Sequence, residues 1–321
     1  MSEYKGTIGQ KVKTYTTDPD NPIIGQVWYN ETAKTLKIQN QTTAGAWATQ
    51  SALNTARYYV AGSTSGTATA TVAFGGAPGN IGNTELWNGS SWTEVNNLNT
   101  GRPSLAGAGT YTSALAFGGS VSPKAQTESW NGSTWTEVSD LNTGRPALAG
   151  VGASNTSALA FGGNLYANTE SWNGSNWTEV NDLNDSREWL AGAGSVTAAV
   201  AFGGQSPGYT ANTEVWDGSS WTEVNNLNTA RAYMAGAGTS TSAIGFGGFH
   251  PPKTQDALTE SWDGSSWTET TDLNTGRYGL GGSGSSTSAL AWGGYDGTAA
   301  TGATEEWTGA GAGRTQTIDT D

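Results

Sequence analysis

Hydrophobic and polar positions along this chain follow a unit of roughly forty residues that recurs along most of its length. Each copy begins with a polar corner, Leu-Asn-x-x-Arg, and continues with a run of Ala and Gly. An apolar run then ends in an aromatic residue and two glycines, and in five of the six copies two short polar segments follow, each with a Trp. The Asn-Gly or Asp-Gly turn between the Trp segments and the shortness of the runs indicate four strands, A to D, in each copy.

The spacing between copies predicts how the array closes. In five copies the second Trp precedes the next corner Arg by ten residues, whereas the sixth copy has no second Trp. Trp47 precedes Arg57 by the same ten residues, so we expect residues 47–51 to form the outer strand of the last copy. Such a clasp pairs the strand edges that an open ring would expose. The predicted fold class is all-β: a six-bladed β-propeller with four-stranded blades, closed by an N-terminal strand in the last blade.

The order of these landmarks resembles the kelch repeat over residues 47–308. In kelch repeats a double Gly closes the second strand, and a Tyr and a Trp follow at a fixed spacing. Here Trp130 and Trp172 stand at the Tyr position, and Trp135 and Trp177 match the Trp. The resemblance implies a kelch-like propeller, a scaffold on which enzymes, adaptors and adhesins occur alike.

The two ends of the chain lie outside the repeat. Residues 1–46 are predicted to be an arm in which residues 26–29 and 35–39 form a hairpin, and residues 309–321 are predicted to be a C-terminal tail. The arm has five of the seven lysines of an otherwise acidic chain, which indicates either a separate contact surface or a solvated segment.

A motif in the arm has a second resemblance. The pattern G-x-x-W-Y-N at residues 25–30, followed by a second strand and by Trp47, resembles N-terminal segments of tailed-phage virion proteins. This resemblance implies that the arm binds other virion proteins. The protein would then be made in the host cytoplasm, without a secretion signal, and would end up in the virion.

Composition argues against several classes of partner. The net charge of −13 disfavours nucleic acid, whose phosphates attract basic surfaces, and attachment to an anionic membrane. No segment is long and apolar enough to cross a bilayer, so no membrane insertion is expected. The 15 Trp and 11 Tyr indicate a packed fold, because disordered chains are poor in aromatic residues.

No catalytic, metal or cofactor site is predicted. The chain has no Cys and a single His, His250, which excludes the copper site of kelch-type oxidases and leaves no recognisable Ser-His-Asp triad. His250 precedes two prolines and is expected to face solvent. Residues 261–267 approach the Asp box of sialidases but place Asp and Gly side by side, so that match fails. Glu residues recur identically in five or six copies, unlike a catalytic pair at one site. We therefore expect no enzymatic activity.

Two repeated features have both a structural and a functional interpretation. The corner arginines recur with the Glu of Thr-Glu-x-Trp, which predicts buried charge-assisted bonds or, alternatively, an anion site on the axis. The Trp pairs are expected to pack between blades, with sugar stacking as the alternative. The expected structural ring consists of Arg57, Arg102, Arg145, Arg187, Arg231 and Arg277.

Length variation is concentrated in the loops between strands B and C. The interval from the aromatic residue before the double Gly to the first Trp varies from 11 to 16 residues, whereas the two Trp are always five apart. These loops are predicted on the same face as the corners. Variable loops on rigid scaffolds commonly bind ligands, and neutral drift is the alternative. The candidate ligand-binding residues are Lys124, Tyr166, Tyr209, His250, Lys253, Tyr295 and Asp296.

Together these patterns predict a phage virion structural protein, a fibre or a decoration, whose B–C loop face binds a host-surface glycan or protein. Two alternatives stay open. One is a carbohydrate-active lyase or hydrolase on a propeller, and the other is a purely structural decoration without a ligand.

Overall fold

The computed structural model describes residues 12–19, 26–41, 45–252, 255–310 and 313–318, and every regular element in these ranges is a β-strand. The chain divides into two compact units. One unit is Ala46–Thr308, and the other combines Met1–Gly45 with Gly309–Asp321. The larger unit is a β-propeller of six blades, each a four-stranded antiparallel sheet, as the repeat predicts.

The strands of the propeller run from A, next to the axis, to D on the outside, and neighbouring A strands contact each other around the axis. Blade 1 consists of β5 (Ala61–Gly62), β6 (Thr71–Phe74), β7 (Thr84–Trp87) and β8 (Trp92–Val95). Blade 2 consists of β9 (Ala106–Thr110), β10 (Ser113–Phe117), β11 (Thr127–Trp130) and β12 (Trp135–Val138). Blade 3 consists of β13 (Ala149–Ser154), β14 (Ser157–Phe161), β15 (Thr169–Trp172) and β16 (Trp177–Val180). Blade 4 consists of β17 (Ala191–Ser195), β18 (Ala198–Phe202), β21 (Thr213–Trp216) and β22 (Trp221–Val224). Blade 5 consists of β23 (Ala235–Thr239), β24 (Ser242–Phe246), β25 (Thr259–Trp262) and β26 (Trp267–Glu269). Blade 6 consists of β27 (Gly281–Ser285), β28 (Ser288–Trp292), β29 (Thr304–Thr308) and β4 (Ala46–Gln50). The B–C loop of blade 4 also has a short hairpin of β19 (Gln205–Ser206) and β20 (Gly208–Tyr209).

The last blade is closed by the N-terminal strand β4. It pairs antiparallel with β29 and places Trp47 opposite Trp307. The corresponding Trp pairs in the other blades, such as Trp172 and Trp177, face each other in the same register. The closure predicted from the ten-residue interval is therefore confirmed, and blade 6 has four strands and a Trp pair like the other blades.

The glycines of the A strands make room for the neighbouring blade. A Cβ atom added at Gly150 would lie 2.4 Å from Cζ of Phe117, in the preceding blade, and 2.8 Å from the carbonyl oxygen of Gly107. The aromatic residue before each double Gly therefore packs against the next A strand. This contact explains why the A strands contain Gly and Ala, since a larger side chain would push the blades apart.

The Trp pairs hold adjacent blades together. Trp177 donates its indole N–H to Oγ1 of Thr127 in the preceding blade at 3.2 Å, and its ring lies 4.9 Å from that of Phe117. Trp172 donates to the carbonyl oxygen of Asn155 in its own blade at 2.9 Å. Both Trp side chains are buried, and the arrangement recurs in the other blades. The Trp pairs thus pack between blades and offer no face to a sugar.

The smaller unit is a four-stranded sheet built from both ends of the chain. Its strands are β1 (Lys13–Tyr15), β2 (Val27–Asn30), β3 (Thr35–Gln41) and β30 (Gly313–Ile318), in that order across the sheet. Strand β2 pairs antiparallel with β3 and parallel with β1, and β30 pairs antiparallel with β3. The assignment of residues 309–321 to a tail is therefore wrong for 313–318. Strand β30 is short and its partner lies at the other end of the chain, so no local pattern marks it.

The carboxylate of Asp18 binds three side chains of this sheet. Asp18 accepts hydrogen bonds from Nε1 of Trp28 at 3.0 Å and from Nδ2 of Asn30 at 2.7 Å. It also pairs with Nζ of Lys37 at 2.8 Å. These donors, Lys37 first, lower the pKa of Asp18 to about 2. The sheet is therefore stabilised by the ionised form of Asp18.

We expect acid to weaken this sheet as Asp18 becomes protonated. Because its pKa is lower in the folded state than its ordinary value of 3.8, the stabilisation is complete above pH 4 and disappears as the pH falls through about 2. The measurement is the NMR signal of the Trp28 indole N–H between pH 5 and about 2. In Asp18→Asn this pH dependence should vanish, and an unchanged titration in that variant would show that another group is responsible.

Candidate functional site

The six corner arginines are buried in ion pairs with the Glu of strand C. Arg145 Nη1 lies 2.5 Å from Oε1 of Glu170, and the backbone N–H of Asn142 donates to the other oxygen of Glu170 at 2.7 Å. Both charged side chains are 0% exposed. The same pairing joins Arg57–Glu85, Arg102–Glu128, Arg187–Glu214, Arg231–Glu260 and Arg277–Glu305. These cations are enclosed and neutralised, so they offer nothing to an anionic ligand on the axis.

A closed ring of backbone hydrogen bonds surrounds the axis just after the corners. The residue two positions after each corner Arg donates its N–H to the carbonyl oxygen of its counterpart in the preceding blade, at distances from 2.7 to 3.2 Å. All six residues have φ between 52° and 64°, in the left-handed region. The members of this axial ring are Tyr59, Ser104, Ala147, Trp189, Tyr233 and Gly279.

The B–C loops lie beside the corners, at the end of the propeller that we call the corner face. The N–H groups of Leu141 and Arg145 donate to the carbonyl oxygens of Ala125 and Lys124, in the B–C loop of the preceding blade. Equivalent bonds join the corners at Leu183 and Leu273 to their neighbouring loops. Corner and loop residues therefore share one surface.

Eight aromatic side chains meet on the corner face and form what we call the corner-face cluster. Trp189 lies between two tyrosines, with its ring centroid 4.6 Å from that of Tyr59 and 4.6 Å from that of Tyr233. The cluster continues through Tyr278, whose ring lies 5.8 Å from that of Tyr233. All eight side chains are half-buried, so each presents part of its surface to solvent. The members are Tyr58, Tyr59, Trp189, Tyr209, Tyr233, Phe249, Tyr278 and Tyr295.

Four tyrosines of this cluster, Tyr59, Tyr209, Tyr233 and Tyr278, have raised pKa values. Burial raises the pKa of Tyr233 to about 12, and Tyr209 and Glu188 add to the increase. Burial also raises the pKa of Tyr59 and, to a smaller extent, that of Tyr278. The carboxyl of Glu188, next to Trp189, likewise has a raised pKa because of burial. At neutral pH these four tyrosines thus have uncharged hydroxyl groups that can donate and accept hydrogen bonds.

Two of the candidate ligand-binding residues belong to the corner-face cluster. The ring of Tyr209 lies 5.6 Å from that of Phe249, and the ring of Tyr295 lies 5.5 Å from those of Tyr58 and Tyr278. The B–C loops of blades 4 and 6 therefore extend the cluster outward from the axis.

The other candidates are not brought into contact with it. Lys124 and Tyr166 are exposed on the loops of blades 2 and 3. The carboxylate of Asp296 caps its own loop by accepting hydrogen bonds from the hydroxyl of Thr298 and from the N–H groups of Ala299 and Thr298, which together lower its pKa. Lys253 lies outside the described residues.

His250 is paired with a buried carboxylate. Its Nδ1 atom forms a hydrogen bond with Oδ2 of Asp256, and its side chain is 19% exposed. The expectation that His250 faces solvent is therefore wrong, because most of its side chain is buried. A carboxylate six residues away closes the loop around the ring, and two prolines beside a His do not signal that partner.

Most of the corner-face cluster was missed by the sequence patterns. Tyr58, Tyr59, Trp189, Tyr233 and Tyr278 stand one or two positions after a corner Arg, in an interval to the next double Gly whose length varies little from copy to copy. Variation in loop length therefore does not mark them. The available signal was side-chain identity, because the two residues after Arg read YY, PS, PA, EW, AY and YG in the six copies.

The cluster lies beside a small recess on the axis. This recess holds about 100 Å³ and is lined by the axial ring and by the apolar residue that follows each of its members. Below it, the channel along the axis is lined by the Ala and Gly of the A strands. At the opposite end the A–B loop of blade 1 crosses the channel, because Ser65 donates its N–H to Gly109 O and its hydroxyl to Gly152 O, both at 2.8 Å.

Within the described residues, no group of three or more His, Asp or Glu side chains is placed to hold a metal ion. The same part of the chain has no helix that is long and apolar enough to span a membrane.

Comparisons with known proteins show what fold this chain has and no more. No protein-family model matches the sequence, and no curated protein does. Among solved structures, one titled "Structure of YjhT" superposes with a TM-score of 0.65 and 14% sequence identity. The match covers 80% of this chain and 96% of that one. At this identity the similarity shows the fold alone, and the fold of this chain is a six-bladed β-propeller closed by its N-terminal strand.

Proposed function

We propose that this chain is a kelch-like phage virion protein that acts by binding, without catalysis, and that its corner face contacts a host-surface glycan or protein. The observation that carries the proposal is the corner-face cluster of eight half-buried aromatic side chains. Half-exposed aromatic residues are enriched where proteins bind ligands and partners.

The cluster departs from the repeat, whereas the structural features follow it. The buried ion pairs, the Trp pairs and the axial hydrogen bonds recur in all six blades, as a scaffold requires. The aromatic side chains come from blades 1, 4, 5 and 6 only. Blades 2 and 3 contribute Ser104 and Ala147 at the equivalent ring positions. A one-sided group of this kind does not serve the closure of the ring, which supports a role in recognition.

The attachment to a virion is supported by the arm. Its motif at residues 25–30 resembles those of tailed-phage virion proteins, and the described part of the arm belongs to a unit separate from the propeller. A separate unit suits a protein that is anchored through that unit and displays the propeller. Mass spectrometry of purified particles tests this part, and particles without the protein would contradict it.

The binding role is tested by exchanging loops within the chain. We expect that replacing the B–C loop of blade 5, residues 249–258, with the five-residue loop of blade 3, residues 164–168, abolishes attachment to host cells. The exchange removes Phe249 from the cluster and shortens the corner face, and both loops join the same strands B and C. The measurement is cell binding by the labelled full chain, with Tyr111→Ala, in the A–B loop of blade 2 at the opposite end of the propeller, as control. Undiminished binding by the loop chimera would exclude this face as the receptor site.

A further inference from the structure

We infer that three Asn side chains in the C–D turns are sites of self-deamidation, in which the backbone nitrogen of the following Gly attacks the side chain and converts it into Asp. The sites are Asn88, Asn131 and Asn173, in blades 1 to 3. The inference is independent of the proposed function, because the C–D turns lie at the end of the propeller opposite the corner face.

The first observation is that the repeat already contains the product of this reaction. Blades 1 to 3 have Asn-Gly in the C–D turn, whereas blades 4 and 5 have Asp217-Gly218 and Asp263-Gly264 at the same place. All five turns join the Trp of strand C to the Trp opposite it in strand D. The fold therefore accepts either residue, and conversion to Asp leaves the turn able to form.

The second observation is the set of donors around the side-chain carbonyl oxygen. Oδ1 of Asn88 accepts hydrogen bonds from the N–H groups of Ser90 and Ser91, at 3.0 and 2.9 Å, and from the hydroxyl of Ser90 at 2.9 Å. Asn131 and Asn173 have the same three hydrogen bonds, at 2.9 to 3.0 Å. This oxygen gains negative charge when a nucleophile attacks Cγ, and three donors directed at it stabilise such an oxyanion.

The Asp turns show that the same donors favour negative charge. Oδ1 of Asp217 accepts three equivalent hydrogen bonds from Ser219 and Ser220, each at 2.8 Å. These donors, the N–H of Ser220 first, lower the pKa of Asp217 to about 2. Asp263 has equivalent hydrogen bonds and an equally lowered pKa. A negative charge on Oδ1 is therefore stabilised in this turn.

The nucleophile and the leaving group are accessible as well. Gly89 has no side chain to hinder its nitrogen, and its N–H donates no hydrogen bond within the described residues. The three Asn side chains are exposed, so water and hydroxide reach them. In the described part of the chain, the amide nitrogens of Asn88 and Asn173 donate no hydrogen bond, whereas Nδ2 of Asn131 donates to Oγ1 of Thr134 at 3.1 Å. We therefore expect Asn131 to react more slowly than the other two.

The reaction consumes one water molecule and releases one ammonia. Hydroxide removes the N–H proton of Gly89, whose nitrogen then forms a bond to Cγ of Asn88. The bond from Cγ to Nδ2 breaks, and the amide nitrogen leaves as ammonia with a proton from water. Water opens the resulting succinimide at Cγ to give Asp, or at the backbone carbonyl to give isoaspartate, which leads the chain through Cβ. Each conversion adds one negative charge to a chain whose net charge is −13.

The test is peptide mass spectrometry of the folded full chain after storage at mildly alkaline pH in water labelled with heavy oxygen. The label distinguishes conversion during storage from conversion during later digestion. We expect labelled acid at Asn88 and Asn173 first and at Asn131 more slowly. Asn80 serves as internal control, because it is exposed but precedes Ile81, whose β-branched side chain hinders attack by the backbone nitrogen.

Two variants examine the role of the turn. Ser90→Ala removes the hydroxyl donor to Asn88 and retains both N–H donors. Conversion at Asn88 should slow by about threefold to tenfold, less than in a buried oxyanion hole because the turn is exposed to water, and conversion at Asn173 should stay unchanged. The triple variant Asn88→Asp, Asn131→Asp, Asn173→Asp should melt like the unaltered chain. The inference is overturned if none of the three Asn converts, if Asn80 converts as fast, or if the triple variant is unfolded.

Discussion

Replacing Arg145 with Met is expected to lower the free energy of unfolding by about 3–5 kcal/mol. The substitution removes the cation that faces Glu170, and this carboxylate is fully buried in strand C. The guanidinium also donates to the carbonyl oxygens of Gly162 and Thr143, both at 2.8 Å. Met fills much of the same space, so the loss is chiefly that of charge and hydrogen bonds. Denaturation by urea, monitored by Trp fluorescence, measures the change.

Two further variants isolate the cause. Lys124→Met removes an exposed cation with no ion pair among the described residues, and we expect a change within about 0.5 kcal/mol. The double variant Arg145→Met, Glu170→Gln should recover part of the loss, because it removes the uncompensated buried charge. If Arg145→Met alone cost no more than Lys124→Met, the buried ion pairs would not be a source of stability.

A chain that starts at Leu53 is expected to melt roughly 10 °C below one that starts at Ala46. The shorter chain lacks β4, so strand β29 keeps β28 but loses its outer partner along its whole length. It also loses Trp47, which is buried and contacts the ring of Phe246 at 4.9 Å in blade 5. Removing a buried Trp costs about 3–5 kcal/mol by itself. Thermal unfolding followed by circular dichroism compares the two chains.

The chain that starts at Ala46 serves as the matched control for this comparison. It lacks residues 1–45, including β1 to β3, but retains every strand of the propeller. A difference between the two shortened chains therefore reports on β4 alone. Equal melting temperatures would mean that the clasp does not hold the ring closed.

The sequence predicts the scaffold well because the residues that determine each blade lie close together in the chain and recur in every copy. The corner Arg, the double Gly and the Trp pair each have a fixed spacing, and together they define four strands per blade. Even the closure across the whole chain follows from one interval, since Trp47 precedes Arg57 as the other second Trp residues precede their corners. Because the unit is repeated, the contact between β4 and β29, which joins distant parts of the chain, could be predicted from a spacing within a few residues.

The candidate site was harder to predict because its members meet across the axis. Tyr59, Trp189 and Tyr233 belong to different blades and are 44 to 174 residues apart in the chain, with no shared motif besides their place after the corner. Tyr209 and Tyr295 were found because they lie on loops of unusual length. Strand β30 and the hydrogen bond between His250 and Asp256 were not predicted, for the same physical reason. Each depends on one pairing that occurs once in the chain, so no repeated pattern indicates it.

The pairing of Ala46 with Thr308 has a consequence for how this domain can move between proteins. Directly opposite residues of an antiparallel pair are about 4.5–5.5 Å apart, so the propeller begins and ends at nearly one point. A domain with adjacent ends can be inserted into a surface loop of another protein without stretching that loop. Recombination could thus transplant the propeller as a complete cassette, together with its corner face, into a different carrier.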